Sequence, residues 1–208
     1  MLINGNRSNY HALQTAFNKR MANHWQLAAN WTLGFSKDGD PAPQQYSPLN
    51  DGITHTPLGF ATAPDLGGEY GYATGDQRNR AAVNGIWQLP YDFQVSGLYF
   101  FASGQRLATT WGGDLRAVGA GGAARLRPDG TIVPRNDLLA PAQNRTDLRL
   151  QQKIPLGSRR SFDLIADVFN IFNRPNWGIG TVESTTTQYL QHVSAQTRTA
   201  QFGFRLTF

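Results

Sequence analysis

The chain contains no cysteine. That excludes disulfide staples, zinc–thiolate centres and cysteine nucleophiles. Charge is also scarce, at 16% of residues against roughly 25% in ordinary soluble domains. Aliphatic residues do not fill the gap. Gly, Asn, Gln, Thr and Ser do, together with aromatics at 12%. Such a balance suits a β-protein with one polar and one aromatic-rich face better than a soluble core protein. Long hydrophobic runs are missing, and no window approaches the roughly 18 apolar residues of a transmembrane helix. The opening "MLINGNRSNYHALQ" lacks the basic segment and apolar stretch of a signal peptide. Basic clusters are missing too. The nineteen Lys and Arg are scattered, with no run longer than Arg159-Arg160, so the net charge of +5 does not point to a nucleic-acid partner.

What is present is period-two alternation, repeated along the chain without helical periodicity. From 25 to 35, Trp25, Leu27, Ala29, Trp31, Leu33 and Phe35 oppose Gln26, Ala28, Asn30, Thr32 and Gly34. From 93 to 102, Phe93, Val95, Gly97, Tyr99 and Phe101 share a face. Weaker versions run over 8–19, 78–89, 145–154 and 160–170, and a last one over 201–208 sets Phe202, Phe204, Leu206 and Phe208 against Gln201, Gly203, Arg205 and Thr207. These are seven strands. Short connections, "KRMANH", "PYD" and "LGSRR", alternate with long ones over 37–76, 104–143 and 173–195. Short turns read as hairpins, and loops this long are uncommon in compact soluble domains.

Alternating short and long connections are the pattern of an outer-membrane β-barrel. The ten steps from Trp25 to Phe35 span roughly 33 Å at about 3.3 Å per residue. A tilt of about 45° brings that to about 23 Å, close to the roughly 25 Å apolar band of such barrels. Aromatics sit at strand ends, with Trp25, Trp87, Phe93 and Phe162 near the short turns and Phe35, Tyr99 and Phe101 toward the long loops. They form candidate interfacial girdles. The opposite face carries Arg145, Asp147, Arg149, Lys153, Asp163, Asp167 and Arg205, which suit a lumen. Cross-strand ion pairing is the simplest role for them, and contact with a plug or ligand path the functional one. A soluble β-sandwich remains an alternative.

Seven is odd, whereas bacterial single-chain barrels have even strand numbers, and open edges are not tolerated in lipid. The expected fold is therefore all-β: an antiparallel meander of about seven long strands, a C-terminal portion of a transmembrane β-barrel. Residues 1–208 form one partial outer-membrane barrel domain, with plug domain and N-terminal strands absent. A missing signal peptide fits the same expectation.

Four stretches, "NYHALQTAFNKRMANHWQLAANWTLGFSKD", "DQRNRAAVNGIWQLPYDFQVSGLYFFASGQRL", "LIADVFNIFNRPNW" and "QFGFRLTF", together resemble the last strands of TonB-dependent outer-membrane receptors, the Oar-like subgroup most of all. The resemblance implies a plugged 22-stranded barrel, in the outer membrane of a bacterial cell, that imports a scarce ligand with energy from the TonB system, which would be engaged only through the missing N-terminal part. It also implies that the terminal strand, with Phe202, Phe204, Leu206 and Phe208, is read by the barrel-assembly machinery. The expected surroundings are outer-membrane lipid. The ligand is unknown from sequence. A small self-contained barrel with an adhesin or structural role, closing its edges by oligomerising, is a second possibility.

No catalytic, cofactor or metal site is expected. His11, His24, His55 and His192 lie on separate elements without ligand spacing. "GAGGAARLRPDG" lacks Gly-Lys-Ser/Thr and reads as a flexible loop rather than a phosphate loop. Asp38, Asp40 and Asp51 do not form an EF-hand pattern. No Gly-x-Ser-x-Gly elbow is present.

Overall fold

The computed structural model describes residues 7–39, 70–113, 115, 125–157, 160–185 and 187–208. Twelve strands occur among them. Seven are long: β1 (Ser8–Ala22), β2 (Trp25–Asp38), β4 (Asn79–Gln88), β5 (Phe93–Ala102), β8 (Gln143–Pro155), β9 (Ser161–Phe169) and β12 (Thr199–Thr207). They form one antiparallel meander in the order β1-β2-β4-β5-β8-β9-β12. The other five are short pieces inside the long connections that sequence periodicity does not show. Strand β3 (Gly71–Tyr72) folds back on the end of β2, β6 (Arg106–Leu107) pairs with β7 (Leu138–Leu139), and β10 (Gly178–Ile179) pairs with β11 (His192–Ser194). Two- and three-residue strands are too brief to carry a readable alternation.

The short turns are tighter than "KRMANH" suggests. β1 continues to Ala22, with a register irregularity after Lys19, and only Asn23 and His24 form the turn. Both have positive φ, 53° and 66°, the requirement of the type I′ hairpin that matches strand twist. The β4–β5 turn likewise places Tyr91 and Asp92 at positive φ, after Pro90, which has no N–H to give the ladder.

Register carries the alternation across the whole sheet. Leu27 lies opposite Gly85, Gly85 opposite Gly97, and Gly97 opposite Leu148, which lies opposite Val168. One face therefore gathers Phe17, Trp25, Trp31, Phe35, Trp87, Tyr99, Leu150, Leu164 and Phe204. Of the strand residues that share it, only Lys19 and Lys37 carry a formal charge. Lys19 Nζ lies 3.7 Å from the Trp25 ring centre and donates to the Ala22 and Trp25 carbonyls at 2.9 Å. Lys37 sits at the other rim, beside Tyr72. The uncharged apolar band is thus bounded by an ammonium at each edge, where long side chains reach the polar boundary.

No second sheet covers this band among the described residues. Ala73, Ala102 and Val133 are the buried hydrophobics among them, while Trp87, Phe202 and Phe204 are exposed. A β-sandwich would bury its apolar face against a partner sheet; the sandwich alternative is set aside on this ground. β1 and β12 are each paired on one side among the described residues, and with seven antiparallel strands in the path they run in the same direction.

Candidate functional site

The polar face is where chemistry concentrates. On β8, β9 and β12 the residues facing away from the apolar band are those that sequence singled out as lumen charges. Arg149 and Asp167 are direct cross-strand partners, and the guanidinium grips the carboxylate through two bonds of 2.6 and 3.0 Å. Arg205 and Asp163 are likewise opposite each other, with Arg205 Nε donating at 2.9 Å. Asp163 is only 1% exposed and also faces Gln151. Arg145 departs from the cross-strand expectation: its partner is Asp147, two residues along its own strand, at 2.7 and 2.8 Å. No acid stands across from it, since its β5 neighbour is Phe100 and the β8–β9 pairing begins only at Leu148; Asp147 also accepts the backbone N–H of Asn170 at 2.8 Å. These six charges therefore meet in pairs, but only Arg149–Asp167 is a two-nitrogen, two-oxygen fork, the geometry that best offsets desolvation of an arginine–carboxylate pair. Arg145 shares one nitrogen between both Asp147 oxygens, and Arg205 sets two nitrogens on one Asp163 oxygen while the other has no hydrogen-bond partner among the described residues.

At the long-loop rim the chain turns on asparagines that sequence inspection quoted without explaining. Asn170 is 1% exposed with φ of 53°. Its side-chain amide donates to the carbonyls of Arg174 (2.9 Å) and Gln196 (3.0 Å), and its oxygen accepts from the Arg174 N–H (3.0 Å). Asn173, also at positive φ, accepts from the Arg198 N–H at 2.9 Å. Asn176 accepts from the Asn144 N–H at 2.8 Å. The stretch "NIFNRPN" is thus a ladder of three asparagines, one every third residue, that fastens the β9–β12 connection to β8 and to the approach of β12. Asparagine suits this because it tolerates left-handed backbone and offers both donor and acceptor. The spacing of three was the available signal.

The long connections are fastened to one another as well. Arg135 pairs with Asp38 at the end of β2 and donates to its carbonyl at 2.7 Å; Asn136 donates to the Tyr72 carbonyl at 2.8 Å. Arg78 and Arg106 lie over the Tyr72 ring at 5.1 and 4.1 Å. Farther along, Arg127 holds Glu183 through bonds of 2.5 and 2.8 Å, beside a parallel bridge between Thr110 and Val182. The Arg127 hydrogen bond keeps the Glu183 carboxyl below its ordinary range, and hydrogen bonds from Thr131 do the same for Asp129. Tyr189 is shifted upward, mainly by burial and then by the Glu183 charge. The part of "GAGGAARLRPDG" within the described residues is a tight turn, with Arg127 N–H bonded to the Thr131 carbonyl at 2.9 Å and Gly130 at positive φ, and not the loose loop expected; residues 119–124 lie outside the described residues.

A concavity opens on the polar face between β1, β2 and β4, with a volume of about 380 Å³. Tyr10, Gln14, Asn30, Thr32, Arg80 and Phe100 line it, and the segment 74–77 bounds its rim. Small residues make the space: the Tyr10 ring lies over Gly34, where an added Cβ would meet its hydroxyl at 3.4 Å. Sequence reading passed over this site because its residues come from four strands and a loop.

The remaining expectations fall as follows. Trp25, Phe35, Trp87, Phe93, Tyr99, Phe101 and Phe162 all lie on the apolar face. Phe162 packs against Phe204 with ring centres 6.0 Å apart, and Arg78 lies 4.2 Å from the Phe35 ring centre. Phe202, Phe204 and Leu206 alternate outward on β12, and Phe208 follows the strand, 92% exposed. His192 stacks on Trp177 at 4.6 Å, and His24 is in a turn; His55, Asp40 and Asp51 lie outside the described residues. No group of three or more potential metal ligands occurs among the described residues.

Comparison with curated proteins and with solved structures finds no match. A family model described as an outer membrane beta barrel domain matches residues 1–133, which carry β1 to β6, and the same sheet continues in register through β8, β9 and β12. One uncharged aromatic band, one polar face, hairpins at one rim and long connections at the other are general features of outer-membrane barrels, and this chain belongs to the outer-membrane β-barrel domain family.

Proposed function

We propose that this chain forms part of the wall of a TonB-dependent outer-membrane receptor of the Oar-like kind, serving uptake of a scarce ligand and not catalysis. The observation that carries the reading is that β1 and β12 each leave one edge unpaired among the described residues. In lipid, a free row of N–H and C=O groups costs several kcal/mol per group, so about a dozen cannot be left open. Because β1 and β12 run the same way, setting β12 against β1 of a second copy would give a parallel seam. An odd number of further strands gives antiparallel closure, as in a larger wall. The motif resemblance and the fastened long connections support the same reading. The apolar band would face outer-membrane lipid, and the polar face a lumen that a plug occupies. The TonB system would be engaged through that plug.

The test is recovery from the outer membrane through an affinity tag on this chain. The reading expects a complex that holds TonB and additional barrel strands. Recovery of a closed, heat-modifiable monomer of this chain alone would overturn it. The barrel-assembly machinery should read β12 and its final aromatic. Deleting Phe208 should lower the amount in the outer-membrane fraction several-fold, and unchanged levels would remove that role.

A further inference from the structure

We infer that the concavity between β1, β2 and β4 is a binding subsite for a sugar acid or a similar small polyhydroxylated carboxylate, with Arg80 as the group that recognises the anion. The inference rests on the reading of the polar face as a lumen, and it deepens that reading by naming a ligand class.

Arg80 carries the argument. It stands on β4 opposite Thr32 and Ala102, lines the cavity, and makes no hydrogen bond or ion pair among the described residues. Arg145, Asp147, Arg149, Asp163, Asp167 and Arg205 are each in an ion pair; Lys153, on the same face of β8, is in none among the described residues but lies outside the cavity. Arg80 is exposed, and at the wall of this cavity its free guanidinium can hold an anion from outside with two parallel hydrogen bonds.

The neighbours narrow the anion. The other polar groups lining the cavity are neutral: amides of Gln14, Asn30 and Gln77 and hydroxyls of Tyr10, Thr32 and Ser36. These give and accept hydrogen bonds without adding charge, as hydroxyl groups of a ligand require. Asp76 is the exception. One oxygen of its carboxylate accepts the Ser36 N–H at 2.7 Å, and the other makes no hydrogen bond among the described residues but lies 3.5 Å from Arg78 Nε, whose charge offsets it. One free cation beside a carboxylate already paired with another arginine favours a single negative charge over a polyphosphate. The rings of Tyr10 and Phe100 offer faces for the C–H surface of a sugar ring. The volume, about 380 Å³, lies within the roughly 300–1,000 Å³ of small-molecule sites.

The test uses outer-membrane vesicles from cells producing the chain and equilibrium dialysis with two radiolabelled probes, galacturonate, which carries one carboxylate, and its neutral counterpart galactose. The wild type should bind the acid about tenfold more tightly than the neutral sugar, the difference that one charge-assisted pair supplies. Arg80→Gln should abolish that preference, so that the two probes bind with equal affinity. Arg80→Lys should restore part of it. Lys153→Gln, on the same face but outside the cavity, should behave as wild type. Equal affinities for the two probes in the wild type, binding of neither, or an undiminished preference in Arg80→Gln would each overturn the inference. Equilibrium binding needs no energised uptake. A chain that prefers galacturonate but is recovered without TonB fails the transport reading alone, and one recovered with TonB but lacking the preference fails this inference alone.

Discussion

Replacing Asn170 with alanine should release the β9–β12 connection while leaving the sheet in place. The side chain makes three hydrogen bonds, of 2.9, 3.0 and 3.0 Å, from a position 1% exposed. At about 1 kcal/mol each, their loss amounts to about 3 kcal/mol. Alanine must also hold φ of 53° without asparagine's local hydrogen bonding, which adds up to about 1 kcal/mol. A total of about 3–4 kcal/mol corresponds to exchange faster by between two and three orders of magnitude for amides released by the local opening. The assay is hydrogen exchange by mass spectrometry on outer membranes, following peptides that contain Arg174 and Arg198, whose N–H groups are held by Asn170 and Asn173. Asn170→Gly loses the same bonds but not the backbone compatibility, and should open about 1 kcal/mol less easily than alanine. Asn170→Asp keeps the acceptor, turns oxygen toward the Arg174 and Gln196 carbonyls, and brings a second carboxylate close to Asp147, so it should be at least as damaging as alanine. Protection unchanged within about fivefold in the alanine variant, or glycine worse than alanine, would refute the reasoning.

Arg149→Ala should lower resistance to urea by about 2 kcal/mol, less than the roughly 3–5 kcal/mol of a fully buried pair, because Arg149 is half exposed while Asp167 is buried; adding Asp167→Asn should recover most of it, and absence of rescue would show that the charge left behind is not the cause. His24→Gly should stabilise the β1–β2 hairpin by roughly 0.5–1 kcal/mol, since the second turn residue sits at φ of 66° and Asn-Gly is the preferred pair there; denaturation midpoints read the change. The Arg127–Glu183 tie should be pH-dependent with a definite sign. Its carboxyl is held below the ordinary value of 4.5, so the tie contributes fully above that value and is lost as pH falls through the lowered one. Fluorescence of Trp111, whose carbonyl accepts from the Ser184 N–H next to Glu183, should therefore stay constant from neutral pH to about 4.5 and change below it, whereas Glu183→Gln should show the opened signal throughout.

Which of these features could be read from the chain depends on the distance over which each is encoded. The faces of the long strands were legible because side-chain direction alternates within one strand, so Trp25 to Phe35 and Phe202 to Leu206 declare their sides without reference to neighbours. The lumen charges were legible as a set for the same reason. Their pairing was not, since Arg149 reaches Asp167 through register while Arg145 turns to Asp147 on its own strand. Inside the long connections local patterning gave little. There the chain is held by buried polar contacts such as Asn170 to Gln196 and Arg127 to Glu183, whose partners are far apart in sequence.

Period two, turn chemistry and the uneven spacing of turns were determined by the sequence itself, because each is a property of a few consecutive residues, and together they specify a membrane-type sheet. Tertiary structure alone decided that Gly34, Asn30, Arg80 and Phe100 enclose one space, that three asparagines at the rim fasten one connection, and that one arginine on the polar face of β4 is left without a partner. Those outcomes depend on which strands become neighbours and in what register, and hydrogen bonding across the sheet fixes that only once all seven strands are side by side.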